Sequence, residues 1–387
     1  MRAPIKHIAT GIDVGTHATR VVIMMHEHGE TPRIIGTGVS ETRGLRHGYI
    51  VNKMDAIKSI SLAIAHAEKM ANLKIKNAFL SVGGIGIESV LGHGTGTISR
   101  ASGEVTEIDM HNAEVAAEKS LSRTTNKRII HRVAIRYKLD GKEVLGNPSG
   151  MTGTKLEVKM LFVTCLEQHL NDIIRTIEEL GIEVDEVVPS PIAAGLVALS
   201  KKQSTVGCAL VNIGAETVSI AVFENEVPIS LQIFPIGSTD ITNDIAIGLK
   251  IPLEEAEKIK LGGTGGTYSK RKLEDIIEAR LADIFELIES HLKKIGRNGL
   301  LPAGIVLTGG GAGIATIEDL AKATLKLPSS LAHPTTANAT KYPVKDSSWL
   351  VAYGLALYAI QKPKEIMESG LNEAWGIVKG WVKPFLP

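Results

Sequence analysis

The sequence has few cysteines, few aromatic residues and no excess of charge of either sign. Of 387 residues only two are Cys and 4% are aromatic, and the formal net charge is +1. We expect Cys165 and Cys208, which both lie in apolar strand-like runs, to be buried free thiols rather than a disulfide. The balanced charge predicts no general attraction to nucleic acid.

Signals typical of several other protein classes are also missing. No apolar run reaches about 18 residues and the N-terminus lacks the apolar core of a signal peptide, so we expect a cytoplasmic chain that does not span a membrane. Zinc-binding His-Glu-x-x-His and Cys-x-x-Cys patterns are absent. The Gly-rich run at 262–266 lacks the Lys of a P-loop, so we expect a flexible loop there.

Two similar turns between apolar runs are the most informative patterns present. Residues 11–16 and 212–217 each carry Gly and end in Thr, with Val-rich and Ile-rich runs on both sides. This pattern predicts two β-hairpins. Gly allows a phosphate close to the backbone amides, and Asp13 can hold a metal directly or through water. Each segment alone indicates only a hairpin, but two facing hairpins would clamp a polyphosphate.

A third glycine-rich segment follows an apolar strand-like run. The strand at 304–308 leads into Gly309, Gly310 and Gly311, and residues 314–326 have helical spacing. Backbone without side chains could lie against a flat ligand, and a helix N-terminus favours anions. The other interpretation is an ordinary strand-to-helix turn.

In this order, the three segments resemble the actin/Hsp70/sugar-kinase ATPase superfamily. The resemblance implies an α/β fold of the actin-like, ribonuclease H-like type, with two lobes around ATP and Mg²⁺. It implies that phosphates and Mg²⁺ contact Asp13, Gly15 and Thr16 from one lobe and Asn212, Gly214 and Thr217 from the other. Glu257 and Lys260 would flank the ribose and adenine, and Gly309, Gly310 and Gly311 would pack against the nucleotide. Without the resemblance, Glu257 and Lys260 also fit a solvated i,i+3 pair.

An inserted segment narrows the resemblance to one family. About eighty residues after Gly84 read as a small α+β insert, with a strand at 97–100 and a helix at 109–121 capped by Asp109. Residues 148–157 match the pattern Pro-x-Gly-Met-x-Gly-x-x-Leu-Glu of the 1C subdomain in the FtsA family of cell division proteins. Similar motifs lie at 48–51, 67–70, 241–246 and 256–260. The resemblance covers about residues 8 to 361 and returns at the tail.

The resemblance implies a division of the chain into subdomains. Lobe 1 (1A) would contain residues 1–84 and 164–200, with a closing helix at 345–362, and the 1C insert would span 85–163. Lobe 2 would consist of 2A at 201–238 and 302–344, with 2B at 239–301. We expect a hinge at Pro189-Ser190-Pro191, a linker at 363–370 and an amphipathic helix at 371–387.

The tail has the pattern of a membrane-surface helix. Its apolar stripe contains Leu371, Ala374, Trp375, Val378, Trp381, Val382 and Phe385, with Lys379 and Lys383 off the stripe. Insertion of each large apolar side chain contributes about 1.5–3 kcal/mol, more than the roughly 1 kcal/mol from each Lys on anionic lipid. The other interpretation is a terminal helix docked on the body. FtsA proteins end in such a membrane-targeting helix.

The second hairpin departs from the family pattern Asp-x-Gly-Gly-Gly-Thr. Asn212, Ala215 and Glu216 replace the Asp and two Gly residues. Asn cannot act as a base toward water, and we expect Glu216 to place a carboxylate near the phosphates. Pro191 cannot place a water from the hinge. We therefore expect weak nucleotide binding and slow or absent hydrolysis.

Three functions compete at this point. The first is an FtsA-like adaptor that self-associates and tethers FtsZ to the cytoplasmic face of the membrane at the septum, with the FtsZ tail on 2B and later division proteins as partners. The second is a PilM-like adaptor of type IV pilus assembly, which would need neither the Trp/Lys tail nor the Gly-Met-x-Gly motif. The third is a sugar or acetate kinase, for which no substrate motif is present.

Overall fold

We describe residues 6–122, 125–263, 268–333 and 346–362 of a computed structural model of the chain. The predicted linker and amphipathic helix, with Trp375, Val378, Lys379, Trp381, Val382, Lys383 and Phe385, lie outside the described residues. Within the described part, no helix is both long enough and apolar enough to cross a membrane.

The first lobe begins with an antiparallel sheet of Val-rich and Ile-rich strands. Its first elements are β1 (Lys6–Val14), β2 (Ala18–Glu27), β3 (Arg33–Glu41), the short hairpin β4 (Leu45–Arg46) and β5 (Tyr49–Ile50), α1 (Lys53–Ala71) and β6 (Asn77–Val82). Helix α1 begins at the Asn52 cap, whose side chain accepts from the Asp55 amide. It packs against glycines of β3, because a Cβ at Gly38 would lie 1.9 Å from the Ala63 carbonyl oxygen.

The insert is a four-stranded sheet covered by one helix. It comprises β7 (Ile87–Thr97), α2 (Glu107–Lys119), β8 (Lys127–Leu139), β9 (Lys142–Val144) and β10 (Lys155–Leu166), with strand order β7-β10-β8-β9. Glycines again allow close packing, since a Cβ at Gly94 would lie 1.9 Å from the Ala113 carbonyl oxygen of α2.

Two details of the insert differ from the sequence expectation. Helix α2 is capped by Thr106 and not by Asp109. Asp109 is the third helical residue and completes a capping box, in which its Oδ2 accepts from the Thr106 amide at 2.8 Å. Its Oδ1 also accepts from the Ser99 amide at 2.9 Å. The chain has left the sheet by Ser99 because this amide bonds to the helix, so the predicted strand at 97–100 is wrong beyond Thr97.

The chain then completes the first lobe and crosses to the second. The next elements are α3 (Glu167–Glu178), β11 (Glu183–Pro189), α4 (Ser190–Ala198) and α5 (Lys201–Val206). The predicted break near Pro189 is present, since β11 ends there and α4 begins with Pro191 in its first turn. Proline is tolerated there because the first amides of a helix lack intrahelical partners.

The second lobe repeats the plan of the first. It contains β12 (Cys208–Ile213), β13 (Val218–Glu224), β14 (Val227–Phe234), α6 (Ser238–Leu249), α7 (Leu253–Lys260), α8 (Lys270–Lys294), β15 (Ile305–Thr308), α9 (Ile317–Leu325) and β16 (Ser329–Leu331). The last described helix, α10 (Leu350–Gln361), returns to the first lobe and packs on β1, β2 and β6, as the sequence predicts.

Both lobe sheets have the same topology. Their orders are β3-β2-β1-β6-β11 and β14-β13-β12-β15-β16, and in each the first three strands are antiparallel and the last two are parallel additions. One apolar core joins strands of lobe 1, the insert, α4, α10 and the strands β12 to β15 of lobe 2. Cys165 and Cys208 are buried in this core, and burial raises the pKa of both thiols to about 12. The prediction of buried free thiols is confirmed.

Candidate functional site

A cavity of about 920 Å³ lies between the two lobes, at the turns of the two predicted hairpins. This volume is in the range of small-molecule sites. The cavity is lined by every residue for which the sequence predicts nucleotide contact: Asp13, Gly15, Thr16, Asn212, Gly214, Thr217, Glu257, Lys260, Gly309, Gly310 and Gly311. The structure thus brings the three separate segments to one place, and nucleotide contact by each residue stays a prediction.

The two hairpin turns are built alike. The Gly15 amide donates to the Ala18 carbonyl at 3.2 Å, and the Gly214 amide donates to the Thr217 carbonyl at 2.9 Å. A Cβ at Gly15 would lie 2.9 Å from the Ala18 carbonyl oxygen, and a Cβ at Gly214 would lie 2.9 Å from the Thr217 carbonyl oxygen. These close approaches explain why both turns carry Gly. These two turns face the cavity from opposite lobes.

Asp13 is the carboxylate at the first turn. The Ser81 hydroxyl donates to its Oδ1 at 2.7 Å. Burial raises the pKa of Asp13, and the Ser81 hydrogen bond and the Arg20 charge oppose this rise. Among the described residues, no group of three His, Cys, Asp or Glu could hold a metal ion. A single carboxylate suits a Mg²⁺ ion whose other ligands are phosphate oxygens and waters. Asp13 therefore fits only a Mg²⁺ site of that kind.

Arg20 is a cavity residue that the sequence reasoning missed. It lies opposite Asp13 in the β1–β2 register, and its guanidinium carbon is 5.8 Å from the centre of the Trp349 ring. Its buried Nε has no hydrogen-bond partner among the described residues. Pairing the residues of the first predicted hairpin would have placed Arg20 opposite Asp13, because the two residues are equidistant from the turn. Its position gives the cavity a cation beside the predicted phosphate hairpin.

Lys260 and Glu257 form a partly buried network at the other side of the cavity. Lys260 Nζ donates to the Ser238 carbonyl at 3.1 Å and to Thr242 Oγ1 at 2.8 Å, and it pairs with Glu257 at 2.8 Å. Only 6% of the Lys260 side chain is exposed, so the alternative of a solvated surface pair is wrong for Lys260. Burial acts to raise the pKa of Glu257, but hydrogen bonds from Lys260 and Thr242 lower it overall.

The three consecutive glycines have different surroundings. Gly309 has a φ of +91°, and a Cβ there would lie 2.3 Å from Asn212 Oδ1. A Cβ at Gly311 would lie 2.5 Å from Ile213 Cγ2, whereas one at Gly310 would meet no atom within 4 Å. Gly309 and Gly311 are therefore required by the protein's own packing, and Gly310 leaves open space on the cavity side.

The Glu216 side chain is directed at the backbone of the first lobe. Its Oε2 accepts from the backbone amide of His47 at 2.5 Å, across the cleft in the first lobe, and it does not line the cavity. The carboxylate is thus bonded to the His47 amide beside the cavity, and its distance from a bound phosphate stays a prediction. A charged oxygen pairs strongly with an available backbone amide, and the His47 amide is that donor.

Two further polar residues, Ser190 and Asn212, line the cavity. Ser190 lines the cavity, but its hydroxyl donates to the Val82 carbonyl at 3.0 Å. The Asn212 amide lies against Gly309 at the end of β12. Neither a serine hydroxyl nor an asparagine amide is a carboxylate that could act as base toward a cavity water.

Family comparisons agree on one family. A model described as cell division protein FtsA matches residues 209–354, and one described as an SHS2 domain inserted in FtsA matches residues 84–164. Cell division protein FtsA of Pseudomonas aeruginosa is 30% identical over 94% of this chain and 91% of its own length. The Bacillus subtilis protein of the same name is 30% identical over 91% of this chain and 83% of its own length.

Two solved structures have the same fold. A PilM–PilN type IV pilus biogenesis complex has a TM-score of 0.69 at 17% identity, and covers 92% of this chain and 99% of that one. ADP-bound MreB5 of Spiroplasma citri has a TM-score of 0.54 at 13% identity, and covers 94% of this chain and 99% of that one. These similarities confirm the predicted actin-like fold, and at such identities they show the fold alone.

Proposed function

The chain belongs to the FtsA family of cell division proteins, and from this premise we propose that it is a nucleotide-controlled adaptor that tethers FtsZ filaments to the membrane at the division septum. The observation that carries the nucleotide part is the meeting of two alike hairpin turns at one cavity between the lobes. Family membership supports the division part, and the tail sequence supports the membrane part.

We assign ATP to the cavity, with the polyphosphate between the turns at Gly15 and Gly214. Backbone amides and hydroxyls at such turns bind phosphate, and Arg20 adds positive charge. Mg²⁺ would be held by Asp13 and by phosphate oxygens, and it would shield the charge of the phosphates. Glu257, Lys260 and the Gly309–Gly311 segment lie on the side left for the ribose and adenine. An ADP-bound relative of the same fold, MreB5, is consistent with this choice of ligand.

We propose that ATP hydrolysis in this site is slow or absent. Asn212 stands where the family pattern has Asp, and Ser190 donates its hydroxyl to Val82. A water attacking the last phosphate would therefore lack a carboxylate base from the second hairpin. The nucleotide would then act by its presence, as a ligand that favours one arrangement of the two lobes over another.

Membrane binding is assigned to the tail at 371–387. Two Trp and several large apolar residues share one helical stripe there, and insertion of these side chains dominates over the two Lys charges. The FtsZ tail is assigned to subdomain 2B at 239–301, where Ile247 is a large apolar residue that is 76% exposed on α6. Self-association is assigned to the insert and the lobes by family membership.

A pilus-assembly adaptor is the alternative function. Its support is the structural similarity to the PilM–PilN complex, which at 17% identity concerns the fold. The tail and the family matches favour the division adaptor, and a test of membrane tethering separates the two.

Co-sedimentation with liposomes tests the proposal. The full chain should pellet with liposomes that contain anionic lipid and should carry purified FtsZ down with it, with and without Mg-ATP to reveal nucleotide control. Trp375→Ala combined with Trp381→Ala should abolish pelleting, whereas Lys379→Ala combined with Lys383→Ala should weaken membrane affinity by about thirtyfold at most. A full chain that stays soluble under all conditions would refute tethering and favour the pilus-type adaptor.

A further inference from the structure

The turn of the β4–β5 hairpin reaches from lobe 1 to the second predicted phosphate hairpin. Its two turn residues are His47 and Gly48, with φ of +48° and +86°. Two left-handed residues between paired strands form the tight turn that hairpins prefer, and Gly suits the second position. The turn is held in the mouth of the cleft by contacts on both sides.

Glu216 of lobe 2 makes two contacts with this turn. Glu216 Oε2 accepts from the His47 amide at 2.5 Å, and the Glu216 carbonyl lies 3.0 Å from His47 Nδ1. A hydrogen bond from an amide to a carboxylate is about twice as strong as one between neutral groups. Both contacts join residues that are 169 positions apart and belong to different lobes.

The same turn is anchored firmly within lobe 1. The Gly48 amide donates to Thr16 Oγ1 of the first hairpin at 3.2 Å. A Cβ at Gly48 would lie 2.5 Å from Gly84 Cα, so the turn packs backbone against backbone on the Gly83–Gly84 turn. A displacement of His47 would therefore also displace the first predicted phosphate hairpin and the end of β6.

A buried histidine behind the turn completes this anchor. His169 Nε2 lies 2.9 Å from the Gly83 carbonyl, and its ring is 4.4 Å from the ring of Tyr49, the residue that follows the turn. His169 is 3% exposed. The turn, the Gly83–Gly84 segment and the start of α3 are thus joined by direct contacts, and Glu216 connects them to lobe 2.

We propose that Glu216 is a positioning residue that clasps the two lobes together across the mouth of the cavity. The clasp closes the cleft through protein contacts, so closure does not need a nucleotide phosphate to bridge the lobes. It also retards release of a bound nucleotide, a consequence that rests on the nucleotide binding proposed above. Glycine at position 216, as in the family pattern, would provide no such carboxylate.

The distance between the lobes tests the clasp without any ligand. Spin labels on Lys58→Cys in α1 and Asp275→Cys in α8, both exposed in the native chain, report this distance by double electron–electron resonance. The native Cys165 and Cys208 are buried, and the high pKa of their thiols protects them from labelling. The full chain should give one narrow short distance, and Glu216→Ala should add a population at longer distance.

Two variants separate the clasp from other effects of the substitution. Glu216→Gln keeps a side-chain oxygen that can accept from His47. Its population at the longer distance should therefore lie between those of the parent and Glu216→Ala. Glu278→Ala removes one exposed carboxylate from α8 and should leave the distances unchanged. Identical distance distributions for the parent and Glu216→Ala, with both chains folded by circular dichroism, would overturn the proposal.

Release of a fluorescent ADP analogue, measured by stopped flow, tests the consequence for the ligand. Loss of a hydrogen bond to a charged group predicts release about tenfold faster, or more, from Glu216→Ala. Glu278→Ala should release the analogue at the parent rate. If the analogue binds to none of the chains, the proposed nucleotide function fails, while the distance measurement still decides whether Glu216 is a clasp.

Discussion

A single hydroxyl, that of Ser89, satisfies both backbone polar groups of Leu231. It donates to the Leu231 carbonyl at 2.7 Å and accepts from the Leu231 amide at 2.9 Å. Ser89 lies in β7, the edge strand of the insert, and Leu231 lies in β14, the edge strand of the lobe 2 sheet. The insert follows the first part of lobe 1 in sequence but is hydrogen-bonded to lobe 2. The bonded residue, Leu231, is two positions before the cavity residue Ile233.

We predict that Ser89→Ala loosens this junction. The amide and carbonyl of Leu231, a residue only 1% exposed, would lose their partner. Buried unsatisfied groups of this kind cost about 1–3 kcal/mol of unfolding free energy. Urea denaturation should show that loss, and the Leu231 amide should exchange its hydrogen faster. Ser61→Ala is the control, because the Ser61 hydroxyl bonds to Lys58 within α1. Unaltered exchange at Leu231 would contradict this prediction.

Lys260→Met should weaken both stability and nucleotide binding. The substitution keeps an unbranched side chain but leaves Thr242 Oγ1, the Ser238 carbonyl and Glu257 without their shared cation. We expect a loss of about 1–3 kcal/mol in unfolding free energy, and at least a tenfold rise in the Kd of Mg-ATP by calorimetry.

Lys258→Met on the same helix is the matched control for Lys260→Met. Lys258 is exposed, so its removal should change the unfolding free energy by less than about 0.5 kcal/mol. Equal effects of the two substitutions would mean that Lys260 does not organise this side of the cavity.

Gly311→Ala should lower the unfolding free energy, whereas Gly310→Ala should weaken nucleotide binding. A Cβ at Gly311 meets Ile213 at 2.5 Å and Ser238 at 3.0 Å, so the protein should lose about 1–3 kcal/mol of unfolding free energy. A Cβ at Gly310 meets no protein atom within 4 Å, so stability should be retained. If the nucleotide lies against Gly310, the Kd of Mg-ATP should still rise in Gly310→Ala. Parent-like binding by this variant would place the nucleotide elsewhere.

Acid should destabilise the protein through His291. Burial, with a smaller effect of the Lys294 charge, lowers the pKa of His291 from 6.5 to about 4. Between these two values the unfolded chain binds more protons than the folded one, so stability present above pH 6.5 is lost as pH falls toward 4. The loss attributable to His291 reaches roughly 3 kcal/mol at most.

The comparison of urea unfolding at pH 7 and pH 5 measures this effect. His291→Gln removes the titrating ring and retains a polar group near the Ser230 hydroxyl, which bonds to His291 Nε2 at 2.9 Å in the parent. The variant should lose less free energy than the parent over this pH interval. Parallel losses in both chains would show that other groups carry the acid sensitivity.

The hairpins and the triple glycine were predictable because their signals are local. Val-rich and Ile-rich runs around Gly turns mark hairpins wherever the chain places them, and motif order then supplied the fold. The order of the segments predicts that Asp13 and Gly214 line the cavity, and the family resemblance adds Lys260. The direction of the Glu216 side chain was not predictable, because it depends on a donor, His47, that is 169 residues away.

Local ambiguity explains the smaller errors. Asp109 and Thr106 are both good caps three residues apart, and the sequence alone does not say which of them begins the helix. The structure uses both in one capping box. The bond between Ser89 and Leu231 has no sequence signal, since a serine in a strand usually faces water.

The packing of α10 on β1 has a consequence for synthesis of the chain. A Cβ at Gly11 in β1 would lie 2.3 Å from the Ala352 carbonyl oxygen of α10, so the first strand and the last described helix are in direct backbone contact. During translation the side of β1 that packs on α10 therefore stays uncovered until residues 350–361 have left the ribosome, although β1 can pair earlier with β2. Nascent chains would expose the apolar surface of β1 for that period, and we expect them to depend on chaperones. Products that terminate before residue 350 cannot complete the first lobe and should be degraded.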